Sequence, residues 1–170
     1  MAALRLAREE DIPAVARLFD QARQALAAAG VDQWQDGYPN GEDVRRDVAA
    51  GDGYVIVENH RVVAYACLSF GHEPTYDVIA NGSWLGRGEY GFLHRAAVDP
   101  NAKGRGLAGE LFEELKRQAR ARGVQAVRGD THRDNKPMQR VMAKAGLAYR
   151  GVITLTDDSE RLAFEALLTE

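Results

Sequence analysis

The chain has 170 residues, 45% hydrophobic and 28% charged, a balance that suits one folded domain over residues 1–170 and excludes a disordered or fibrous chain. Its formal net charge of -3 argues against a general binder of nucleic acid or membrane surfaces, which needs a basic excess. Cys67 is the single cysteine, so no internal disulfide can form. The opening residues lack the apolar core of a signal peptide and no run approaches a membrane span, which together give a cytoplasmic expectation.

Leu4 and Leu6 predict a short first strand. Ile12, Val15, Phe19, Ala22 and Leu26 then recur at steps of three and four, one apolar stripe on a helix that Gly30 can end. The segment from Trp34 to Gly41 is dense in turn formers, and a short helix is expected from Glu42 to Ala49. Tyr54 to Val57 and Val62 to Phe70 read as a hairpin of strands. A mixed loop from Gly71 to Gly88 follows, then a strand from Gly91 to Val98 that stops at Asp99-Pro100.

Leu107 to Arg122 is the clearest helix, with Leu107, Leu111 and Leu115 along one side and Gly123 at its end. Val124 to Thr131 is a strand. Asp134 or Asn135 can cap a helix from about Pro137 to Ala145, which Gly146 stops. Tyr149 to Thr154 and Arg161 to Leu168 are the last strands, joined by a turn at Asp157-Asp158-Ser159. The pattern is α+β or mixed α/β with no obvious linker.

The most informative stretch joins the strand ending at Val98 to the helix opening at Leu107: Asp99-Pro100-Asn101-Ala102-Lys103-Gly104-Arg105-Gly106. A helix start presents unpaired N–H groups and a partial positive charge, and glycines let backbone approach a ligand closely. Lys103 and Arg105 add two cations. These features make a pyrophosphate receptor, against the plainer reading of a glycine-rich loop with solvated charges. The same residues spell Gly104-x-Gly106-x-x-Gly109, a dinucleotide fingerprint. About sixty residues follow Gly109, too few for a Rossmann sheet, so a nicotinamide-dependent enzyme is the weaker alternative.

Lys103-Gly104-Arg105-Gly106-Leu107-Ala108 resembles the acetyl-CoA loop of the GNAT N-acetyltransferase superfamily, with Lys103 where Gln or Arg is usual. His94 to Pro100 resembles that family's fourth strand, and Asn135 to Leu147 its later CoA-side helix. Trp34 to Pro39, Trp84-Leu85 and Asp130-Thr131-His132 further resemble a bacterial subgroup largely of unassigned substrate. The resemblance implies the acyl-CoA N-acyltransferase fold, a central, mostly antiparallel sheet with splayed fourth and fifth strands flanked by helices. It implies acetyl-CoA as acyl donor without a metal, and a small-molecule amine or peptide N-terminus as acceptor. Family members often form homodimers.

By the same resemblance, backbone near Ala96, Ala97 and Val98 holds the pantetheine arm and the oxyanion. N–H groups from Gly104 to Ala108, including Leu107, hold the pyrophosphate, and Asn135 meets the arm from the far side. The tyrosine acid usual in the family is replaced by Met142, which donates no proton; water, a side chain such as Tyr149, or no acid at all takes its place, since a CoA thiol is a fair leaving group unaided. A non-catalytic acyl-CoA sensor is therefore the alternative function.

An amine attacks only when neutral, so the site needs a base, for which His94 and Asp130 are the candidates. Against this, His94 can be a strand residue with a satisfied hydrogen bond, and Asp130 can brace the adjacent turn. Trp34, Tyr38 and Trp84 in irregular segments can wall an acceptor pocket or lid the core. Arg95 can meet a substrate carboxylate or pair with Asp130, and His132 can meet substrate or solvent. Cys67, mid-strand, reads as a buried inert thiol.

Overall fold

The computed structural model describes residues 2–168; Met1, Thr169 and Glu170 lie outside the described residues. Seven strands run in the sheet order β1-β2-β3-β4-β5-β7-β6; β1 with β2, β2 with β3, β5 with β7 and β6 with β7 pair antiparallel, and β4 with β5 pairs parallel. The strands are β1 (Ala2–Leu6), β2 (Gly53–Glu58), β3 (Arg61–Phe70), β4 (Tyr90–Val98), β5 (Ala126–Thr131), β6 (Ala148–Thr154) and β7 (Glu160–Leu167). The helices are α1 (Ile12–Ala28), α2 (Gly41–Ala50), α3 (Leu107–Arg122) and α4 (Lys136–Lys144). This is the mixed α/β architecture expected from the element order, and the expected boundaries hold within a residue or two, as helix and strand ends usually allow.

The chain forms two compact units, residues 2–68 with 95–111 and residues 69–94 with 112–168. In the first, Ile12, Val15 and Phe19 of the predicted α1 stripe are buried, with Leu18 beside them, against Val44 of α2 and against Val55, Tyr65, Cys67 and Ala97 of the strands, while Ala22 and Leu26 are partly buried. Asn40 starts α2: its side chain accepts from the N–H groups of Glu42 (2.9 Å) and Asp43 (3.4 Å), while the Asp43 carboxylate accepts from Asn40 N–H (2.8 Å). That reciprocal box satisfies backbone donors that the helix cannot satisfy itself.

In the second unit, β5 pairs with β7 over six residues and β6 with β7 over six, while β4 pairs with β5 over only three, Tyr90 with Ala126 to Phe92 with Arg128. The stretch read as a mixed loop is pinned here by backbone. Ala80 and Val152 exchange two N–H···O bonds of 2.8 Å each. Strand and loop approach so closely that a Cβ on Gly82 would lie 1.9 Å from the Arg150 carbonyl oxygen.

Glu165 on β7 holds the next part of that loop. It has no exposed surface, and its carboxylate accepts from Leu85 N–H (2.8 Å), Gly86 N–H (3.1 Å), Arg128 Nε (3.0 Å) and Arg150 Nε (3.1 Å). Arg128 also donates to the Gly86 carbonyl (3.1 Å), and its guanidinium lies over the rings of Trp84 (4.4 Å) and Tyr90 (4.1 Å). Burial works against the Glu165 charge, but the Leu85 amide, both arginines and the Gly86 amide outweigh it, so the carboxyl ionises below its usual range.

The pKa is lower in the folded chain than in the unfolded one. The clamp's stabilisation is therefore complete above the ordinary glutamate range and is lost as pH falls through the lowered value. Glu165→Gln should cost about 3 kcal/mol at neutral pH, because it strands the buried Arg128 guanidinium and removes a charged partner from part-buried Arg150. Urea unfolding across a pH series should show the gap between wild type and variant narrowing below about pH 4. Equal stability at neutral pH would remove the clamp from the energetics of this unit.

Candidate active site

The loop from β4 to α3 is fastened at its start by Asp99. This buried carboxylate accepts from Asn101 N–H (2.8 Å) and from Arg61 Nη2 (3.2 Å), and the Asp99 N–H donates to the Val63 carbonyl (2.8 Å). Gly104 and Gly106 then adopt φ of 83° and 76°, the left-handed region that disfavours side chains, and no atom stands within 4 Å of where either Cβ would be. The loop therefore has both the turn and the open surface that close approach of a ligand requires.

The Glu110 N–H donates to the Gly106 carbonyl (3.0 Å), which begins the α3 ladder. The N–H groups of Leu107, Ala108 and Gly109 consequently have no acceptor inside the helix. Lys103 is exposed, and exposed Arg105 forms an ion pair with Glu58 at the end of β2.

Arg95 on β4 has a φ of 55°, a backbone conformation costly for a residue with a Cβ. Its guanidinium is 13% exposed and donates to the Asp47 carboxylate through Nε (2.9 Å) and Nη2, to Tyr38 Oη through Nη1 (2.7 Å), and weakly to Cys67 Sγ (3.6 Å). Tyr65 Oη donates to the same Asp47 at 2.6 Å. Burial works against the Arg95 charge, but the Asp47 carboxylate prevails and its pKa is raised. Arg95 thus pairs with Asp47, a carboxylate that sequence reading did not consider for it. Tyr38 joins this cluster, and Trp34 packs edge-on to Phe19 with ring centroids 5.9 Å apart.

In the second unit, Tyr90, Phe92 and His94 alternate onto one face of β4. The Phe92 ring lies 6.1 Å from Tyr90 and 5.1 Å from His94. Arg128 and Asp130 of β5 share that face: Arg128 covers Tyr90, and Asp130 accepts from Tyr76 Oη (2.7 Å), whose ring is 6.1 Å from Phe92. Gly129 faces the other way, where a Cβ would sit 3.4 Å from Met142 Cε, so buried Met142 lies on the face opposite Asp130.

The parallel ladder contains neither His94 nor Asp130: β4 and β5 both continue after it ends. His94 Nε2 is 2.9 Å from Ser69 Oγ. Burial pushes the Asp130 carboxyl above its ordinary range, partly offset by the Tyr76 hydrogen bond, and burial beside Asp130 raises Tyr76 far enough to keep it protonated.

Trp84 donates through Nε1 to the Tyr76 carbonyl (2.9 Å) and packs at 5.1 Å on its ring. Asn135 caps α4 by accepting from Met138 N–H (3.3 Å), and His132 Nδ1 accepts from Asp134 N–H (3.0 Å). Tyr76, Ser69, Asp47 and Tyr65 are partners that sequence reading missed. Their contacts span 18 to 54 residues of chain, and the only local signal was an aromatic in a loop. Among the described residues, no three His, Cys, Asp or Glu side chains gather as a metal site, and no helix is long and apolar enough to cross a membrane.

The profile of the acetyltransferase (GNAT) family matches residues 6–147. A GNAT-family acetyltransferase structure from Streptococcus agalactiae is 35% identical, with 99% of this chain and 96% of that one covered and a TM-score of 0.90. An N-acetyltransferase from Staphylococcus aureus Mu50 shares the fold at 20% identity, 99% coverage of both chains and a TM-score of 0.71. A Salmonella typhimurium protein solved with acetyl-CoA as its cofactor does so at 19% identity, with 99% of this chain and 95% of that one covered and a TM-score of 0.69. No curated protein matches the chain. With its profile match and its 35% identical structural relative, the chain belongs to the GNAT acetyltransferase family.

Proposed function

We propose that the protein is an N-acetyltransferase that binds acetyl-CoA and passes the acetyl group to a primary amine within a ternary complex. The observation that carries this reading is the front end of α3, where three N–H groups lack helical acceptors beneath two open, left-handed glycines. Such a cradle fits a diphosphate, because it combines aligned donors, a helix dipole and room for close backbone approach. The Salmonella typhimurium protein of the same fold holds acetyl-CoA, which supports this reading for the present chain.

Backbone N–H groups from Gly104 to Ala108 hold the diphosphate, and Lys103 and Arg105 add positive charge beside it. Backbone of Ala96, Ala97 and Val98, beyond the short β4–β5 ladder, lies along the donor arm and supplies an N–H for the oxyanion. Bound acetyl-CoA supplies the activated thioester.

His94 takes the proton from the acceptor ammonium, and the Asp130 carboxylate draws that ammonium to the face the two residues share. Ser69 fixes the imidazole, and Tyr76 orients Asp130. Trp84 backs Tyr76.

Gly106→Glu places a side chain in a left-handed position and a carboxylate against the diphosphate. Isothermal titration should show acetyl-CoA affinity falling at least about a hundredfold, since like charges at such contact cost several kcal/mol. Unchanged affinity would sink the assignment of the loop.

His94→Ala should lower kcat about a hundredfold with little change in acetyl-CoA affinity. Release of free CoA with a panel of amines measures this, and also separates an enzyme from a non-catalytic sensor. Tyr76→Phe removes a hydrogen bond that holds the Asp130 pKa down, so that pKa rises further. The acid limb of kcat/KM should then move to higher pH. An unmoved limb would leave Tyr76 with a packing role alone.

A further inference from the structure

The end of the second unit's sheet that carries His94 and Asp130 also carries a cation with no carboxylate partner. In the β5–β7 ladder Asp130 stands opposite Ala163, so Arg161, two residues back along β7, lies on the same face one diagonal step from Asp130. Arg161 itself stands opposite Ile153 of β6, which packs with Phe92, Tyr76 and Ala163 on that face. Tyr76 is the residue tied to Asp130, and Phe92 the one in ring contact with His94.

The charge of Arg161 is felt at Asp130. Burial is the largest influence there and raises the carboxyl, while the Tyr76 hydrogen bond and then the Arg161 charge oppose the rise. Asp130, His94 and Arg161 each keep part of their surface open to solvent.

The carboxylates around Arg161 are held by other groups. Glu160 accepts from Arg133 (2.6 Å), Asp157 accepts from the Ser159 N–H (3.0 Å) and hydroxyl, and Asp130 accepts from Tyr76 (2.7 Å). Among the described residues, no carboxylate lies within 4.0 Å of the Arg161 guanidinium, which donates one hydrogen bond, from Nη1 to the Glu160 carbonyl (3.0 Å).

The neighbouring arginines differ. Arg128, on the same face, is locked to Glu165 and the Gly86 carbonyl and covers two rings. Arg95, considered from sequence for a substrate carboxylate, is taken up by Asp47 and Tyr38. Arg161 keeps most of its donor fork unfilled, beside a carboxylate that can attract an ammonium. Diagonal neighbours stand about 7–8 Å apart, so the two groups suit a compact molecule that carries both charges.

Resting on the acceptor site proposed above, we infer that the acceptor is a zwitterion of the α-amino acid class, and that Arg161 selects it by binding its carboxylate while Asp130 attracts its ammonium. Transfer forms the amide C–N bond and breaks the thioester C–S bond. His94 takes one proton of the ammonium, and a second, shed as the amide forms, ends on the CoA sulfur.

Matched trios test this: each common L-amino acid, its carboxamide and its decarboxylated amine, assayed with the full chain by release of free CoA. For the amino acids that are acetylated, kcat/KM should exceed that of the carboxamide at least about tenfold, the range of a charge-assisted hydrogen bond. Arg161→Gln should shrink that ratio at least about tenfold, mainly through KM, since the carboxylate is remote from the bonds that change. Arg161→Lys should restore part of it. A ratio measured within one variant does not depend on how much of that variant is folded, so a purely structural role for Arg161 would leave it unmoved. A preference for the carboxamide or the amine, or an unchanged ratio in Arg161→Gln, would overturn the inference.

Titration of the same trios into the CoA-saturated protein reads the carboxylate without turnover. Carboxylate-dependent binding that Arg161→Gln abolishes, with no CoA release from any acceptor, would sink acetyl transfer and leave the zwitterion site standing. CoA release without carboxylate preference would do the reverse. Neither binding nor turnover with any amino acid would also overturn the inference.

Discussion

A carboxylate with no exposed surface has to be met by donors, and in this protein that constraint orders most of the second unit. Glu165 collects two backbone amides and two arginines. One consequence is local: the chain from Leu85 to Gly86 is tied to β7. Another is carried by Arg128, whose guanidinium sits over Trp84 and Tyr90. Trp84 in turn holds the Tyr76 carbonyl, and the Tyr76 hydroxyl reaches Asp130. One buried charge thus propagates through stacking and hydrogen bonds to the carboxylate proposed to attract the acceptor.

The first unit answers a comparable problem with the opposite charge. Arg95 takes a strained backbone conformation in the middle of β4, and its buried guanidinium is compensated by Asp47 and Tyr38. Strain of this kind persists where the surroundings over-determine it. Here Tyr65, packed edge-on to Phe19 in the core, steadies Asp47 from a second direction. The residues that follow Arg95 are Ala96, Ala97 and Val98, the backbone proposed to face the acetyl donor, so a rigid turn of the chain precedes the place where hydrogen-bond direction matters most.

The cradle proposed for the diphosphate in the first unit is built from main chain. At the start of α3, the donors are amides fixed by helix geometry, and the side chains contribute little more than long-range charge. Amides held in this way suit a ligand of invariant shape such as a diphosphate.

The sequence by itself determined the elements and marked the glycine-rich loop that is proposed to hold the diphosphate. The stripe of α1, a cap at Asp134 or Asn135, the strand runs on either side of Asp157-Asp158-Ser159 and the run from Lys103 to Leu107 are local signals, set by side-chain period, capping chemistry and glycine, and they act over a few residues of chain. The family resemblance was legible from the same local run. Only the tertiary structure decided which side chains meet: Arg95 with Asp47, Tyr76 with Asp130, Ser69 with His94, Glu165 with the loop at Leu85. It also put Met142 on the face away from Asp130 and made Gly82 obligatory, through a strand that arrives some seventy residues later. The reason is physical. Period and caps are properties of neighbouring residues, whereas the pairing of a buried charge is fixed by sheet order and register, which depend on the whole chain at once.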